Sequence, residues 1–409
     1  MMKSFSDTGI IHVMNEAAQY GYYNGNIEWA NLGQGSPETG VLSEMKRFAF
    51  LESDDSTSEY AAVAGRSDTR SSIAKLYNQR YRSTMSSQYD CDNIALVSGG
   101  RLAVTRIIAC LQPTNIGYFV PDYTPYQSII GLFNGHNAIP IVLNKEDGYS
   151  ISIEKLRATV KLHKISVVVM SNPSNPIGKL TSEQQMIELI KLAEEEQFLL
   201  LIDEVYSHYI YDRPEVDIPY TFSAARYVRE IDSSNVIIVD GLTKNWRYPG
   251  FRLAWIIASK AIIKIATNCG AFMDGGASNV VQKNALHLLD EKIVSLEVRE
   301  MQKHFRAKRD YVIGELVEHG ITVDVIPQGA FYVWANLSNL PESLQDGVRF
   351  AKSCLRECVI VVPGMYFDDQ SDQILANVRF RNYVRISFGQ GMDTLKRGME
   401  GIKRVIRHG

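Results

Sequence analysis

The sequence predicts a three-layer α/β/α large domain with a mainly parallel sheet, and a smaller α+β domain formed by the C-terminal part and the N-terminal segment. The middle of the chain repeats short runs of Val, Ile and Leu that end in polar or turn residues. Such runs are typical of strands buried on both faces of a parallel sheet. Stretches with helical periodicity separate them, which favours right-handed crossover connections.

Six runs predict the strands of the large sheet, in the order "NIALVSGG", "IGYFVPDY", "ISVVVMSNP", "FLLLIDEVY", "VIIVDGLTK" and "RLAWIIA". After the third run, "TSEQQMIELIKLAEEEQ" predicts a helix with Thr181 or Ser182 as N-cap and with Glu183 or Gln184 completing a capping box. Near residue 295 the pattern changes. A long charged helix comes first, then short strands around "ITVDVIP", "GAFYVWANL", "VIVVPG" and "NYVRISFG", and finally an amphipathic helix.

These patterns place an N-terminal arm or small-domain segment over residues 1–45, a large domain over residues 46–294 and a C-terminal small domain over residues 295–409. A chain of 409 residues is long enough for two or three domains. No repeat or low-complexity linker marks the borders, so the boundaries rest on the change of pattern alone.

Composition excludes several classes of protein. A net charge of −3 argues against binding to nucleic acid or to an acidic membrane. The five cysteines include no CxxC pair, which argues against a disulfide framework and a zinc ribbon. The chain has no long apolar segment of the secretory or membrane-spanning kind. We therefore expect a soluble, cytoplasmic protein whose partner is a small molecule.

Two strand ends carry polar side chains where ligands bind in parallel α/β sheets. Asp203 ends the run "FLLLID", so its carboxylate emerges into a low-dielectric region and needs a cationic partner unless it caps a helix. In "SNPSNPIG" the two prolines hold Asn172 and Asn175 in an extended, rigid segment that directs their amides to a fixed point. A purely structural turn is the alternative for this segment.

Two further strand ends offer an anion site and an aromatic ring. In "SGGRLAVTRII", Gly99 and Gly100 permit close backbone approach at the start of a helix, and Arg101 adds positive charge. Glycine also occurs in such turns simply to turn the chain. In "PDYTPY", Tyr123 follows a strand, and it packs in the core or rim unless a flat ligand lies beside it.

The segment "VDGLTKNWRYPGFRLAW" places Lys244 just after a strand and Arg252 eight residues further on. A partly desolvated lysine near other cations has a lowered pKa, and a neutral amine can attack a carbonyl to form a Schiff base. Arg252 offers a guanidinium for bidentate binding of an anion such as phosphate. Together with the strand-end residues, these groups describe a site for one cofactor, pyridoxal 5′-phosphate.

With these motifs in their order and spacing, the chain resembles the class I/II aminotransferases, fold-type I pyridoxal-phosphate enzymes similar to aspartate aminotransferase. The resemblance runs from "NLGQGSPETG" to "NYVRISFG". It implies that Lys244 forms the Schiff base and moves the proton during catalysis, that Asp203 pairs with the pyridine nitrogen, and that Tyr123 stacks on the ring. It also implies that Asn175 and Tyr206 hydrogen-bond the phenolate oxygen.

The same resemblance implies the remaining ligands. The phosphate is bound by Gly99, Gly100, Arg101, Thr243, Arg252 and Tyr60, the last reaching across from a neighbouring subunit. Arg385 binds the α-carboxylate of an amino acid or 2-oxo acid substrate, helped by Asn175 and the backbone of Gly35. A homodimer with shared active sites follows, without a metal ion.

Two positions depart from the family pattern. Many relatives carry serine three residues before the lysine, where this chain has Gly241, and the usual threonine of the "NPTG" segment is Ile177. The grip on the phosphate is therefore expected to depend more on Thr243, Arg101 and Arg252. Neither departure removes a catalytic group.

Transamination between an L-amino acid and a 2-oxo acid is the leading prediction. The same site could instead support elimination, cyclisation or oxidation of an amino acid, because the motifs around the cofactor do not decide which bond reacts. A DNA-binding regulator is disfavoured because no basic helix-turn-helix precedes the enzyme-like pattern. A nicotinamide-dependent oxidoreductase is disfavoured because no GxGxxG follows an early strand.

The substrate side chain is predicted to contact mobile loops and the partner subunit, near residues 10–36 and 274–279. The aromatic residues of the N-terminal arm could favour a bulky substrate or could serve packing, and they are Tyr20, Tyr22, Tyr23 and Trp29. His208 is expected to be a structural or rim residue rather than an additional acid or base.

Overall fold

The computed structural model describes residues 9–42, 51–214, 219–368 and 379–409. The helices in this part of the chain are α1 (Gly9–Gln19), α2 (Asp55–Ser58), α3 (Ser67–Tyr81), α4 (Gly100–Ala109), α5 (Pro125–Ile130), α6 (Ile153–His163), α7 (Glu183–Glu195), α8 (Lys260–Met273), α9 (Asn279–Ala285), α10 (Glu291–Glu318), α11 (Gly347–Arg356) and α12 (Met392–His408). Within these ranges, none of the helices has both the length and the apolar character needed to cross a bilayer.

The strands form three sheets. They are β1 (Ala30–Asn31), β2 (Ile94–Val97), β3 (Asn115–Val120), β4 (Asn137–Val142), β5 (Ile165–Ser171), β6 (Leu199–Asp203), β7 (Val236–Gly241), β8 (Ala254–Ile257), β9 (Thr322–Val323), β10 (Tyr332–Asn336), β11 (Val359–Ile360), β12 (Val362–Pro363) and β13 (Tyr383–Ser387). The large sheet has the order β2-β8-β7-β6-β5-β3-β4, and β8 runs antiparallel to both of its neighbours.

The predicted three-layer architecture is confirmed by the two apolar layers that cover the large sheet. Along β5, Val168 and Met170 belong to a core shared with α3, α6 and α7. Val167 and Val169 point to the other face, into a core shared with α4, α5 and α8. Because successive strand residues point to opposite faces, a continuous apolar run is what a doubly covered strand requires.

The sequence analysis missed β4, which contains Pro140. Proline cannot donate a hydrogen bond within a sheet, so a run containing it does not read as a central strand. In the structure β4 is the edge strand beside β3, where a missing donor is tolerated. The predicted cap of α7 is Ser182, but Gln185 completes the capping box rather than Glu183 or Gln184.

The C-terminal part builds a four-stranded antiparallel sheet in the order β12-β13-β10-β9, packed against α10 and α12. The N-terminal segment joins this part, because β1 pairs in parallel with β11. The boundary predicted between residues 294 and 295 falls inside α10. The division into three units stays a prediction.

Candidate active site

A cavity of about 430 Å³ opens where β5, β6 and β7 end, at Ser171, Asp203 and Gly241. Strands, the start of α4, the N-terminal segment and the C-terminal sheet all supply its walls. The lining residues are Ile10, Gln34, Gly35, Ser36, Gly100, Arg101, Tyr123, Ser171, Asn175, Asp203, Val205, Tyr206, Thr243, Lys244, Pro249, Arg252, Tyr332 and Arg385. The structure thus brings together most of the side chains that the sequence singled out.

Lys244 lies in the turn that follows β7, and its amine contacts the backbone oxygen of Gly35. The pKa of this amine is lowered to about 7, chiefly by burial and further by the positive charges of Arg385 and Arg252, while Asp203 opposes the shift. Near neutral pH a large fraction of the amine is therefore unprotonated. That is the form that attacks a carbonyl carbon or accepts a proton from carbon.

Asp203 ends β6 and is buried. Burial raises the pKa of its carboxyl to about 6, although donors from Val205 N (3.4 Å) and Tyr126 Oη (3.3 Å) and the charge of Lys244 act in the opposite direction. A buried acid with so few strong partners is poised to pair with a cationic ligand group, because opposite charge restores the ionised form. A protonated ring nitrogen is such a group.

The start of α4 has the features of an anion site. Gly99 has φ +104°, and a Cβ at this position would lie 2.0 Å from Nη2 of Arg252, so only glycine lets this guanidinium pack against the backbone. Helix α4 begins at Gly100, and the first N–H groups of a helix have no partner within the helix. Thr243 adds a buried hydroxyl that has no hydrogen-bond partner among the described residues. These donors fit a phosphate group.

Position 241 has no room for a side chain. Gly241 pairs with Ala254 across β7 and β8, and a Cβ on Gly241 would lie 2.6 Å from the Cα of Ala254 and 2.7 Å from the oxygen of Leu253. The serine hydroxyl that many relatives place here is thus excluded by the backbone of the neighbouring strand. The unpaired hydroxyl of Thr243 lies two residues further along.

Arg385 on β13 is fully buried. Its guanidinium donates to Asn175 Oδ1 at 2.9 Å and to the oxygen of Gly33 at 2.6 Å, and it lies 4.4 Å above the ring of Tyr332. Its Nε has no hydrogen-bond partner in the described part of the chain. A buried guanidinium held only by neutral groups is suited to bind a carboxylate.

Two tyrosines from different parts of the fold meet in the cavity. Tyr206 Oη and Tyr332 Oη lie 2.8 Å apart. Burial, followed by the contact with Tyr332, raises the pKa of Tyr206, so its phenol stays protonated at neutral pH and can donate a hydrogen bond. Tyr123, the predicted stacking residue, also lines the cavity, and its hydroxyl accepts from Arg101 at 3.0 Å.

One predicted ligand lies apart from this cavity. The side chain of Tyr60 is 98% exposed, so within one chain it does not reach the site. The segment 274–279 does not line the cavity either, whereas Ile10 and residues 34–36 do. Of the N-terminal aromatic residues, Trp29 is buried against Tyr22, which favours the packing alternative for this pair.

Three further residues, His208, Ile177 and Asn172, have structural roles outside the cavity. Burial lowers the pKa of His208 to about 3, and its ring lies 4.7 Å from that of Trp246, so it is a neutral core residue. Ile177 packs in the core next to the sheet. The carboxamide oxygen of Asn172 accepts from Thr181 N at 2.9 Å, and this side chain does not line the cavity.

Sequence reasoning missed Tyr332 and the pair Asp122 and Ser171. Tyr332 comes from a strand far along the chain, so only the folded structure reveals its contact with Tyr206. Asp122 follows β3 in the same way that Asp203 ends β6, and that signal was available. Its carboxylate accepts from the backbone N–H of Tyr123 at 2.6 Å and from that of Ser171 at 3.1 Å, and it also binds the Ser171 hydroxyl.

Comparison with known proteins gives a consistent result. The profile of the family described as "Aminotransferase class I and II" matches residues 27–402. An aspartate aminotransferase of Streptomyces avermitilis is 27% identical over 328 residues, 78% of this chain and 75% of the relative. A probable N-acetyl-LL-diaminopimelate aminotransferase of Bacillus subtilis is 26% identical over 92% of this chain and 88% of its own length.

Solved structures share the fold. Aspartate aminotransferase from Thermus thermophilus with maleate superposes with a TM-score of 0.79 at 22% identity, covering 99% of this chain and all of that one. An aromatic aminotransferase from Pyrococcus horikoshii superposes with a TM-score of 0.77 at 21% identity, covering 97% and 99%.

Proposed function

The chain belongs to the aminotransferase class I and II family, and from this premise we propose how its own residues carry out the reaction. The protein is an aminotransferase, which moves an amino group between an L-amino acid and a 2-oxo acid. Enzymes of this family generally depend on pyridoxal 5′-phosphate. The proposal is that this cofactor binds in the cavity described above.

One observation carries the proposal. A lysine amine with a lowered pKa and a buried carboxyl group open into the same cavity, and a set of phosphate-binding donors lies beside them. The cofactor has an aldehyde, a basic ring nitrogen and a phosphate, so each of its polar groups has a matching partner. Lys244 is proposed to react with the aldehyde, and Asp203 to pair with the ring nitrogen. The start of α4, with Thr243 and Arg252, is proposed to bind the phosphate.

The remaining cavity residues position the ring. Tyr123 offers an aromatic face at the end of β3, while Asn175 and Tyr206 offer hydrogen-bond donors for the oxygen on the ring. When bound, pyridoxal 5′-phosphate supplies an electron-withdrawing ring that stabilises negative charge next to the reacting carbon. Asp203 supports that role, because a nearby carboxylate favours the protonated ring nitrogen.

Lys244 then acts as the acid and base. With a pKa near 7 its amine would accept the proton released from the substrate α-carbon and donate it again later in the reaction, since a catalytic pKa near the working pH suits both directions. Arg385 fixes the substrate carboxylate, and Asn175, which already contacts Arg385, supports the same group. The backbone oxygen of Gly35 contacts the lysine and limits its movement.

A homodimer with shared sites is also proposed. The family resemblance assigns Tyr60 to the phosphate of a neighbouring subunit, and its side chain is 98% exposed in the single chain. Phe272 near the end of α8 is 93% exposed and Ile265 on the same helix is 55% exposed. Because these two residues are seven apart, they lie on one face of the helix, and an exposed apolar face of this kind suits a subunit interface.

The test uses the Lys244→Ala variant and the matched control Lys179→Ala. Lys179 is another partly buried lysine, and its amine donates to Ser150 Oγ at 2.6 Å outside the cavity. We expect Lys244→Ala to bind pyridoxal 5′-phosphate without covalent attachment and to lose transfer of amino groups to 2-oxo acids. Lys179→Ala should keep both covalent attachment, measured by mass spectrometry after borohydride reduction, and turnover. Covalent attachment at another lysine, or full turnover by Lys244→Ala, would overturn the proposal.

A further inference from the structure

Asn245, next to the lysine, lies at the centre of a buried hydrogen-bond network. Its carboxamide nitrogen lies 3.0 Å from the oxygen of Glu204, 3.0 Å from Ser207 Oγ and 2.7 Å from Asp240 Oδ1. Its carboxamide oxygen accepts from the backbone N–H of His208 at 3.0 Å. The side chain is 4% exposed, so every polar atom of this buried group has a partner.

Three of these partners, Glu204, Ser207 and His208, belong to the segment that also carries Asp203 and Tyr206. Glu204 directly follows Asp203, and Ser207 directly follows Tyr206. One side chain therefore joins the turn of Lys244 to the segment that presents the acid and the phenol. Strands β6 and β7 are paired up to Asp203 and Val239, and a last bond runs from Glu204 N to the oxygen of Val239 at 2.8 Å, so Tyr206 and Lys244 lie beyond the part that the sheet ladder holds.

The network is anchored in the core on its far side. Asp240 accepts from Tyr77 Oη at 2.8 Å and from the backbone N–H of Gly241 at 2.6 Å, besides its contact with Asn245. A second link joins the same two segments, because Tyr209 Oη donates to the backbone oxygen of Lys244 at 2.9 Å. The fully bonded carboxamide fixes a geometry that two separate loops would not keep on their own.

We propose that Asn245 is a positioning residue that sets where the Lys244 amine stands relative to Asp203 and Tyr206. This inference rests on the proposed role of Lys244. Asn245 does not line the cavity, so it acts through the backbone on either side of it. Its loss leaves Glu204 O and Ser207 Oγ without the donor that joins them to the lysine turn.

The position of the amine has a measurable signature. The groups that face it are Arg385 from β13, Arg252 from the loop before β8, Arg101 from α4 and Asp203 from β6. If the lysine turn loosens, the amine moves toward solvent or toward Asp203. Either movement raises its pKa, because both relieve the penalty on the charged form.

The experiment measures the pKa of Lys244 in the full-length, cofactor-free chain by competitive acylation and mass spectrometry across pH. Asn245→Ala is expected to raise this pKa by about one unit or more. Asn245→Leu keeps the size of the side chain and adds no charge but removes the donors and the acceptor, and it is expected to shift the pKa in the same direction. It serves as the readout if the alanine variant does not fold.

The matched control is Asn235→Ala. The carboxamide of Asn235 also donates a hydrogen bond to another segment, to the oxygen of Ala193 at 3.1 Å, but at the amino end of β7. It should lower thermal stability without changing the pKa of Lys244. If both Asn245 variants fold and their Lys244 pKa equals that of the wild type, the inference is wrong.

A second readout uses the chain loaded with pyridoxal 5′-phosphate. The pH midpoint of its visible absorption should move in Asn245→Ala and stay in Asn235→Ala, and kcat should fall about tenfold or more with KM within about twofold. A wild-type chain that takes up no cofactor would refute the proposed function. The acylation result on Asn245 would still stand or fall on its own.

Discussion

At the scale of single residues, the charged form of Lys244 destabilises the folded state, and this effect depends on pH. The unfolded chain keeps the Lys244 proton up to about its ordinary pKa of 10.5, whereas the folded chain releases it near 7. Between these values the unfolded state binds more protons, so this residue contributes stability that rises with pH. Below pH 7 its full cost is present.

This predicts the behaviour of Lys244→Met in the cofactor-free protein. The variant should be more stable than the wild type below pH 7, and the difference should shrink steadily as the pH rises toward 10, because folding then requires the amine to lose its proton and this loss becomes less costly at higher pH. Thermal unfolding of the two proteins at matched pH values measures the difference. A stability gap that is independent of pH would show that the lysine is not desolvated as described.

Part of the site could be predicted from the sequence, because strand ends are visible as apolar runs that stop at polar residues. Asp203, Asn175 and Lys244 were found in this way, and the structure brings all three to one cavity. Tyr332 and Asn245 could not be predicted from strand ends. Tyr332 meets Tyr206 from a strand 126 residues further along the chain, and Asn245 acts through contacts that no local pattern encodes.

At the scale of elements, the start of α4 depends on the absence of a side chain at Gly99. Gly99→Ala should push the Arg252 guanidinium out of its place, because the added carbon would lie 2.0 Å from Nη2, and the residue would also hold an unfavourable φ of +104°. We expect affinity for pyridoxal 5′-phosphate to fall about tenfold or more, with little change for pyridoxal, which lacks the phosphate. Fluorescence titration with both compounds checks this.

The control for that variant is Gly314→Ala in α10, where an added Cβ meets nothing within 4 Å. There alanine should stabilise the helix by about 0.5–1 kcal/mol and leave cofactor affinity unchanged. An equal loss of affinity for pyridoxal and its phosphate in Gly99→Ala would contradict an anion site at the start of α4.

The pairing of β7 with β8 gives the second prediction at this scale. Gly241→Ser restores the residue that many relatives carry, yet its side chain would collide with the backbone of Ala254. We expect a loss of about 1–3 kcal/mol in the free energy of unfolding and no gain in phosphate affinity. Urea denaturation and cofactor titration test both parts, and a variant as stable as the wild type with tighter binding would refute the steric argument.

The elements themselves were predicted unevenly for physical reasons. Unbroken apolar runs predict strands that are buried on both faces, so six strands of the large sheet were predicted from the sequence. The edge strand β4 was missed because Pro140 and its partly exposed face remove that signal. The antiparallel direction of β8 was also not predicted, since a short apolar run contains no information on direction.

At the scale of the whole molecule, the assembly can be tested by complementation. If Tyr60 serves the site of a neighbouring subunit, a mixture of Lys244→Ala and Tyr60→Ala subunits forms some dimers with one intact site. Random exchange then restores roughly a quarter of the wild-type activity. If Tyr60 served its own subunit, each mixed dimer would carry one defect in each site and no activity would return.

The matched measurement is the mass of the assembly. Analytical ultracentrifugation should give twice the chain mass for the wild type, and Phe272→Glu should shift the protein toward the monomer, because a charge would replace the 93% exposed ring proposed to be covered in the dimer. A wild type that sediments as a monomer would contradict shared sites. The cytoplasmic location and the division at residues 45 and 294 stay predictions.

The reversal of the chain between β7 and β8 has a consequence for the binding and release of ligands. Because β8 returns beside β7, Lys244 and Arg252 both lie on the connection between these two strands of the large sheet. Arg385, in contrast, belongs to the C-terminal sheet. With the cofactor bound as proposed, substitutions in the C-terminal sheet are therefore expected to change substrate affinity more than cofactor retention, and substitutions in the β7–β8 connection to do the reverse.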